Sequence, residues 1–500
     1  MDFEEAIREI GKGAQIDANP SFGRLLEISK KEGVQTAYGS MCYTTKIRGR
    51  SASLTTIIEG KPTSAQESLI TSVAQYLKGK KLLRVDRRMC MENPFYCRAY
   101  VSAAYPHIPF MWAKMLFPPK KGKSPDFTSV QVPEWQETKI LAHAPSGITF
   151  ILGSDYTGEL KKANLRMAMH KAKMAGGLGL HAGSKTISAL QKDGKLIEKG
   201  VLLFGLSATG KTTLTCHHHW LDASKGESVT ILQDDVVLMQ ADSSCRGTED
   251  NFYIKTEGLE PKSQPLLYKA ATSPNALLEN VKLNGGGKPD FSDCTLTSNG
   301  RAVVLRSEIG HTKKGISLKE VDMILFITRW NNIVPAVAKL GPLQAAAFFM
   351  LGESVGSAAS DIDAGKPRRV VGTNPFIIGP EYEEGNRFLE ILGKNPHLEC
   401  YLLNTGGVGE GGKGEARKIT VHDSASIIKE IARGGISWEQ DGEWGYLLPK
   451  EIPEVEGCKL HPRSLYEEEE YARLTNELRI SRKEWLSKFK GLNPKISGAI

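Results

Sequence analysis

The chain has 500 residues, of which 40% are hydrophobic and 24% are charged, as in a globular protein with two or three domains. Its formal net charge is +8, but the lysines and arginines are dispersed and no aromatic-basic module accompanies them, so we expect no nucleic acid partner. The longest apolar stretches, at 323–327 and 345–351, are too short to span a bilayer, which excludes a membrane partner at those positions.

Two further features favour a cytoplasmic protein. The first 13 residues are acidic and amphipathic and contain no apolar signal region. The eight cysteines are scattered along the chain, and none forms a CxxC pair. We therefore expect free thiols in a reducing compartment rather than a disulfide framework or a zinc site.

The first third of the chain reads as alternating helices and strands. Helical spacing predicts one or two surface helices in residues 1–35, and a basic turn containing Arg50 precedes a predicted strand at 54–58. Two further strands are predicted at 140–143 and 148–153, and a helix is predicted to open at Tyr156 and run to about Met174. An arginine in a glycine-flanked turn can bind a carboxylate or phosphate, although such a turn alone is more typical of a solvated loop.

The most informative stretch begins at Gly205 and ends at Thr212, and it matches the phosphate-loop pattern GxxxxGK[ST] at every fixed position. An apolar strand at 201–204 leads into it, and a helix is predicted to follow. In this context backbone N–H groups cradle phosphates, Lys211 reaches the β- and γ-phosphates, and Thr212 places a hydroxyl on Mg²⁺. The predicted nucleotide-binding residues of the loop are Gly205, Leu206, Ser207, Ala208, Thr209, Gly210, Lys211 and Thr212.

A second acidic motif follows the loop. The predicted strand at 229–233 ends in Asp234 and Asp235, the arrangement in which a carboxylate holds a metal beside the phosphates. Alone, it is equally typical of a strand that ends in an acidic turn, but the phosphate loop upstream favours the metal site. His217, His218 and His219 are consecutive and so point to different faces of a helix, and we do not interpret them as a metal site.

We place a boundary between two large domains near Gly176, in a glycine-rich loop. Residues 1–176 are predicted to form an N-terminal, substrate-side α/β domain. Residues 177–500 are predicted to form a nucleotide-binding domain that ends in a charged helical extension.

Taken together, these stretches resemble the ATP-dependent phosphoenolpyruvate carboxykinase family. The resemblance spans residues 45 to 430, and its most specific parts are YTGELKK at 156–162, the phosphate loop, and ALLENV at 276–281. The other matching segments are GRS at 49–51, GLGLHAGS around His181, DD at 234–235, YIKT at 253–256, SNGR ending at Arg301, and YLLNTGG at 401–407.

The resemblance implies an α/β fold of two domains, with a phosphate-loop mononucleotide-binding domain at the C-terminal side and the active site in the cleft between the domains. The implied reaction is gluconeogenic: oxaloacetate and ATP give phosphoenolpyruvate, ADP and CO₂. Decarboxylation leaves an enolate of pyruvate, whose oxygen then takes the γ-phosphoryl group.

The resemblance also implies roles for individual residues. The implied Mn²⁺ ligands are Lys162, His181 and Asp235, while Thr212 and Asp234 serve a Mg²⁺ that travels with ATP. A lysine ligand must be neutral, and the metal and the adjacent Lys161 both lower its pKa. The residues implied to act on the substrate and phosphoryl group are Lys211, Lys162, Arg301, Arg50 and Tyr156; Lys255, Ser207 and Lys418 are implied to lie near the nucleotide.

The sequence departs from the family pattern at several positions. Ala208 stands where the family has glycine, Arg50 is followed by Ser-Ala-Ser rather than Ser-Pro, and Lys418 replaces an arginine near the nucleotide. Two alternatives follow: a GTP- or pyrophosphate-dependent relative, or a phosphate-loop regulator without carboxykinase activity. The GTP class carries a cysteine in its phosphate loop, and this loop contains none. A regulator would not need Lys162, His181, Arg50 and Arg301 together.

Overall fold

A computed structural model describes residues 1–49, 52–206, 209–355 and 367–500. The chain forms two compact units, one of residues 1–171 with 248–310 and one of residues 172–247 with 311–500. Both contain helices and several sheets, so the protein belongs to the α/β class that the sequence predicts. Within the described ranges, every helix is too short or too polar to cross a bilayer.

The observed division differs from the predicted one in residues 248–310, which belong to the first unit rather than to the C-terminal one. The reason is strand pairing. Leu277–Glu279 runs parallel to Met41–Tyr43, and Arg301–Val304 joins the other edge of Leu277–Glu279. The resulting five-stranded sheet has the order Phe252–Lys255, Arg301–Val304, Leu277–Glu279, Met41–Tyr43 and Gly33–Gln35.

The largest sheet of the first unit has seven strands with mixed parallel and antiparallel pairing. Every residue of its central strand Phe127–Val132 is buried. The strand order is Gln15–Ala18, Lys81–Met89, Phe95–Ser102, Phe127–Val132, Ile148–Leu152, Lys139–His143 and Thr55–Ile58.

Local capping explains where several helices of this unit begin. The Asp2 carboxylate accepts the Glu5 N–H at the start of Phe3–Gly13, and Thr63 forms a capping box with Gln66 at the start of Ser64–Leu77. Phe3, Ile10 and Leu77 bury their side chains in one cluster with the large sheet. The other helices are Phe22–Ser29, His107–Met115, Pro265–Ala271, Arg306–Ile309, the 3₁₀ turn Ala52–Leu54, and Thr157–Met174, whose last residues enter the second unit.

The second unit is built on an eight-stranded sheet. Three of its strands, Leu196–Gly205, Met323–Thr328 and Glu399–Asn404, run parallel side by side and are buried along most of their length. The full order is Ser228–Gln233, Ala182–Leu190, Leu196–Gly205, Met323–Thr328, Glu399–Asn404, Val337–Leu340, Leu447–Pro449 and Trp438–Gln440. A three-stranded sheet contains Leu178–Leu180, Val237–Met239 and Cys245–Gly247.

The helix Pro342–Leu351 forms the centre of the core of this unit, and its last seven residues are all buried. Phe349 stacks on Phe388 of the helix Glu381–Lys394 with ring centroids 4.6 Å apart. The remaining helices are Lys211–Thr215, Val421–Ala432, Gly457–Leu460, Glu468–Leu486 and Pro494–Ser497, with 3₁₀ turns at Ala223–Lys225, Val371–Thr373 and Pro462–Leu465.

Candidate active site

The segment that matches the phosphate-loop pattern joins the buried end of strand Leu196–Gly205 to the short helix Lys211–Thr215, as predicted. Gly210 has φ of 92°, a left-handed conformation that glycine adopts at little cost. At Gly205 a Cβ atom would lie 2.5 Å from Oγ1 of Thr209. The backbone therefore requires both glycines that frame the loop. Ser207 and Ala208 lie outside the described residues.

Three of the predicted residues meet beside this loop. Lys211 Nζ lies 3.3 Å from His181 Nε2 and 3.9 Å from Asp235 Oδ1. His181 Nε2 lies 3.1 Å from the same carboxylate oxygen. The Lys211 and His181 side chains are only 10% and 16% exposed, so a cation, an imidazole and a carboxylate share a largely buried position.

The hydrogen bonds of His181 fix its tautomer. Its Nδ1 donates to the backbone carbonyl of Thr373 at 2.7 Å, because a carbonyl can only accept. Burial lowers the pKa of His181, and the charge of Lys211 lowers it further, so the neutral ring is favoured. The lone pair then lies on Nε2, the atom closest to Asp235 and Lys211. Metal-ligating histidines typically donate their other N–H to a carbonyl in this way.

A second pair of predicted residues lies next to this group. Thr212 Oγ1 donates to Asp234 Oδ2 at 3.0 Å, which links the first turn of the helix Lys211–Thr215 to the end of strand Ser228–Gln233. Asp234 is 6% exposed. A hydroxyl and a carboxylate in contact offer two oxygen ligands, the type that Mg²⁺ prefers.

The chemistry of these side chains fits the predicted metals. His181 Nε2 and the Asp235 carboxylate are both lone-pair donors to a divalent ion, and imidazole with carboxylate suits Mn²⁺. Across the described residues, no three His, Cys, Asp or Glu side chains form a cluster that could hold a metal. The predicted Mn²⁺ site adds a lysine, Lys162, to His181 and Asp235. The predicted Mg²⁺ site pairs Asp234 with the hydroxyl group of Thr212.

The first unit contains the other predicted residues, beginning with the helix Thr157–Met174. Lys162 Nζ pairs with Glu159 Oε1 at 2.8 Å, one helical turn earlier, and lies 5.2 Å from the ring centroid of the buried Tyr156. The neighbouring Lys161 Nζ pairs with Glu249 Oε2 at 2.9 Å, with both side chains almost fully buried. The two adjacent lysines therefore have separate carboxylate partners.

Arg301 and Tyr156 are joined by Asn299. The Asn299 side chain accepts a hydrogen bond from Arg301 Nη2 at 2.7 Å and donates to the Tyr156 hydroxyl at 3.2 Å. Arg301 also lies over the ring of Tyr253, 5.5 Å from its centroid. The structure thus brings together two of the residues predicted to contact the substrate.

Arg50 lies outside the described residues, but the segment that leads to it is held firmly. The Asp155 carboxylate accepts the backbone N–H groups of Lys46 and Ile47 at 2.8 and 2.9 Å. Asn299 and Thr297 both donate to the Arg48 carbonyl. Asp155 directly precedes Tyr156. The chain around Tyr156 is therefore fixed to the segment that leads to Arg50.

A buried glutamate supports the same region. Glu279 Oε1 accepts the Thr157 N–H at 2.9 Å, and its Oε2 accepts the Tyr253 hydroxyl at 2.7 Å. Burial raises the pKa of Glu279, while the hydrogen bonds from Thr157 and Tyr253 oppose this shift. Lys255, on the strand next to Arg301, pairs with Glu257.

Lys418 lies on the exposed two-residue strand Arg417–Lys418, which pairs with Gly407–Val408. In the part of the chain that the structure describes, its side chain forms no ion pair. Its predicted place near the nucleotide stays a prediction.

The sequence analysis missed Glu159, Asn299, Asp155 and Glu279. Glu159, Asn299 and Glu279 lie inside the quoted motifs YTGELKK, SNGR and ALLENV, so those motifs could have indicated them. Asp155 accepts backbone N–H groups of a distant segment, and no local sequence pattern predicts such contacts.

Comparison with known proteins identifies the same family that the sequence motifs resemble. A sequence model of the phosphoenolpyruvate carboxykinase family matches residues 14–457. The phosphoenolpyruvate carboxykinase (ATP) of Aeropyrum pernix is 33% identical over 486 residues, covering 96% of each chain. The proteins of that name from Leptospira biflexa and Rhizobium johnstonii are 26% and 27% identical and cover 93% and 66% of this chain, and 92% and 59% of their own. The chain therefore belongs to the ATP-dependent phosphoenolpyruvate carboxykinase family.

Proposed function

We propose that the protein decarboxylates oxaloacetate and transfers the γ-phosphoryl group of ATP to the resulting enolate, giving phosphoenolpyruvate, ADP and CO₂ for gluconeogenesis. The observation that carries the proposal is the convergence of Lys211, His181 and Asp235 beside the phosphate loop. In a member of this family, these three side chains supply the charges and the metal ligands that phosphoryl transfer to an enolate needs.

The second unit acts on the phosphates. Lys211 neutralises charge on the γ-phosphoryl group as it leaves ADP, and the main-chain N–H groups of the loop orient the phosphates. Thr212 and Asp234, which already touch, would hold the Mg²⁺ that accompanies ATP. The proposed role of this unit is therefore to bind and orient the nucleotide.

The first unit acts on oxaloacetate. Arg301 offers a planar pair of donors to a substrate carboxylate, and Asn299 fixes the direction of one of its nitrogen atoms. The Tyr156 hydroxyl, held by the same asparagine, lies against the carboxylate that leaves as CO₂. Arg50 contributes a second guanidinium.

His181, Asp235 and Lys162 would hold Mn²⁺, which supplies an electrophile for the negative charge that develops on the enolate oxygen. The residues themselves prepare that role. The Thr373 carbonyl keeps the His181 lone pair on Nε2, and Glu159 accepts a hydrogen bond from Lys162 Nζ and so holds the end of that side chain in place.

The donor nucleotide is proposed to be ATP. Lys418, in place of an arginine, is the main departure near the nucleotide, and a GTP- or pyrophosphate-dependent enzyme is the alternative within the same chemistry. A nucleotide-binding regulator without carboxykinase activity is the alternative from another class.

The direct test is to incubate the purified protein with oxaloacetate, Mn²⁺ and Mg²⁺, and to assay phosphoenolpyruvate with ATP, GTP or pyrophosphate as the donor. We expect product with ATP. We expect Lys211→Met to lower kcat by roughly 10³-fold, the scale of losing one preorganised charge at a transition state. Lys195→Met, which changes an exposed lysine of the same unit, is the matched control and should have no effect.

Each other outcome has a defined meaning. Product only with GTP or pyrophosphate would keep the reaction and overturn the donor. Tight ATP binding without product under any donor would favour the regulator. Full activity of Lys211→Met would remove the phosphate loop from the proposed mechanism.

A further inference from the structure

A fully buried lysine lies under the helix that follows the phosphate loop. Lys185, on strand Ala182–Leu190, has no exposed surface. Its ammonium group donates to the backbone carbonyl of Leu214, in the last turn of helix Lys211–Thr215, and to Nε2 of His219. The mechanism proposed above assigns no role to this lysine.

Both of these acceptors are neutral. Burying an ammonium group without a carboxylate is unfavourable, so its hydrogen bonds must offset the loss of water. Burial lowers the pKa of Lys185 to about 7, and the ionisable groups nearest to it are Cys216, His217 and His219.

The position of Lys185 suggests a role for this lysine. The helix Lys211–Thr215 has five residues, far fewer than an isolated helix needs to be stable, and it carries both Lys211 and Thr212. The carbonyl groups in the last turn of a helix lack helical partners, and a cation is favourable there. Lys185 supplies a cation and a donor to that turn.

The lysine also connects the two sides of the site within the second unit. Its strand begins at Ala182, immediately after His181, and its ammonium group holds the opposite end of the helix that begins at Lys211. The contact from Lys185 to Leu214 therefore fixes the strand and the helix relative to each other. The 3.3 Å separation of His181 Nε2 and Lys211 Nζ depends on that relative position.

We propose that Lys185 is a positioning residue for phosphoryl transfer, whose ammonium group fastens the helix Lys211–Thr215 to the strand after His181 and so holds Lys211 and Thr212 where the nucleotide phosphates bind. This inference rests on the proposed function. It assigns His219, the last of the three consecutive histidines, as the second acceptor that keeps the ammonium group in place.

The principal variant is Lys185→Met, which keeps an unbranched stem but removes the donors. Binding of ATP with Mg²⁺ is measured by isothermal titration calorimetry, and kinetics are measured separately for ATP and oxaloacetate. We expect the Kd and KM for ATP to rise about tenfold, the effect of losing one good contact. The KM for oxaloacetate should change less than about twofold, well under that one-contact effect.

A purely structural role would give a different pattern. Leu478→Ala, in the distant helix Glu468–Leu486, serves as a control that destabilises the same unit without touching the loop. It should lower the unfolding temperature and leave the Kd and KM for ATP unchanged. If Lys185→Met behaves like this control, the proposal is overturned.

A second pair of variants covers the case in which Lys185→Met does not fold. His219→Gln keeps an acceptor near the position of Nε2, whereas His219→Leu removes it; both replacements meet the same left-handed backbone, with φ of 58°. We expect His219→Leu to bind ATP more weakly than His219→Gln, and equal affinities would contradict the proposal. Because calorimetry does not need turnover, a wild-type protein that binds ATP without forming product would refute the proposed function and still test Lys185.

Discussion

Asn299 makes the positions of two charged or polar neighbours depend on one amide group. Its oxygen accepts from Arg301 and its nitrogen donates to Tyr156, so neither neighbour can turn without breaking a bond. Holding reacting groups in one geometry before the substrate arrives is a large part of enzymatic rate acceleration. Asn299 therefore orients Arg301 and Tyr156, the two residues proposed to contact the substrate, without having to contact it itself.

We expect Asn299→Leu to lower kcat/KM for oxaloacetate by roughly 10- to 100-fold, because it removes the bonds to Arg301, Tyr156 and the Arg48 carbonyl at about 1–3 kcal/mol in total. Asn299→Asp keeps the acceptor for Arg301 and loses the donor to Tyr156 and to the Arg48 carbonyl, so its loss should be smaller. Steady-state kinetics with oxaloacetate as the varied substrate measure both. Equal losses in the two variants would show that the Arg301 bond has no separate role.

The sequence predicted many site residues but not how they are held. The phosphate loop and YTGELKK are continuous motifs, so the amino-acid sequence alone is enough to name Lys211, Thr212 and Lys162. It is not enough for Lys185 and Thr373, because their contacts to Leu214 and His181 join segments far apart in the chain. Moreover, every residue type has a backbone carbonyl, so the sequence does not indicate which residue accepts such a hydrogen bond.

At the scale of elements, a partly buried ion pair links the helix Val421–Ala432 to the eight-stranded sheet. Arg433, the C-cap residue of this helix, donates through two nitrogens to both oxygens of Glu227, at 2.9 and 2.7 Å. The Glu227 carboxylate also accepts the backbone N–H groups of Leu190 and Asp222. The bonds from Arg433, together with these N–H groups, lower the pKa of Glu227 to about 2.

This shift sets a pH dependence for stability. A carboxyl group whose pKa is lowered in the folded state stabilises the protein fully above its unfolded pKa, and that contribution is lost as the pH falls from about 4.5 towards 2. We expect Glu227→Gln to reduce the free energy of unfolding by roughly 2–4 kcal/mol at pH 7, with the difference from wild type shrinking below pH 4.5. Urea unfolding at pH 7, 4.5 and 3 measures it.

The exposed pair Glu470–Arg473 provides the control for this prediction. Glu470→Gln should leave the free energy of unfolding close to the wild-type value at every pH, since water screens exposed pairs. A Glu227→Gln protein whose deficit is the same at pH 7 and pH 3 would contradict the assignment.

The apolar helix Pro342–Leu351 gives a prediction for the core. Phe349 is 2% exposed and contacts Phe388 and Phe204, so Phe349→Ala should lower the free energy of unfolding by about 3–5 kcal/mol. Leu343→Ala, on the exposed side of the same helix, should cost less than about 1 kcal/mol. Urea unfolding at pH 7 compares them, and similar losses would place Phe349 outside a tightly packed core.

Hydrophobic periodicity predicted several strands and helices of the first unit well. The strands expected at 140–143 and 148–153 are observed as Lys139–His143 and Ile148–Leu152, and the helix expected from Tyr156 to about Met174 as Thr157–Met174. Local patterning determines these elements because each buries a continuous apolar face.

At the scale of the whole molecule, the cysteines report on the folded state. All eight are free thiols, of which Cys294 is exposed, Cys458 is partly exposed and the others are buried. We expect a thiol reagent such as Ellman's reagent to modify Cys294 rapidly and Cys458 more slowly in the native protein, and all eight in guanidinium chloride without reductant. Cys294→Ser should remove the fast phase, and fewer than eight reactive thiols after unfolding would reveal a disulfide.

The pairing of distant strands could not be predicted from the sequence. The predicted boundary near Gly176 lies close to where the chain first changes unit, but nothing in residues 248–310 indicated that they would pair with Met41–Tyr43. Short strands such as Leu277–Glu279 carry too few side chains to specify a partner, and the choice is made by the packing of the complete sheet.

That pairing has a consequence for synthesis. The strand Met41–Tyr43 is translated long before Leu277–Glu279, its parallel neighbour, which emerges more than 200 residues later. At ordinary rates of chain elongation the delay is on the order of tens of seconds. During that interval the nascent chain presents an unpaired strand edge, a surface on which chains on neighbouring ribosomes can associate. The five-stranded sheet of the first unit therefore cannot be completed until residues 277–279 have been synthesised.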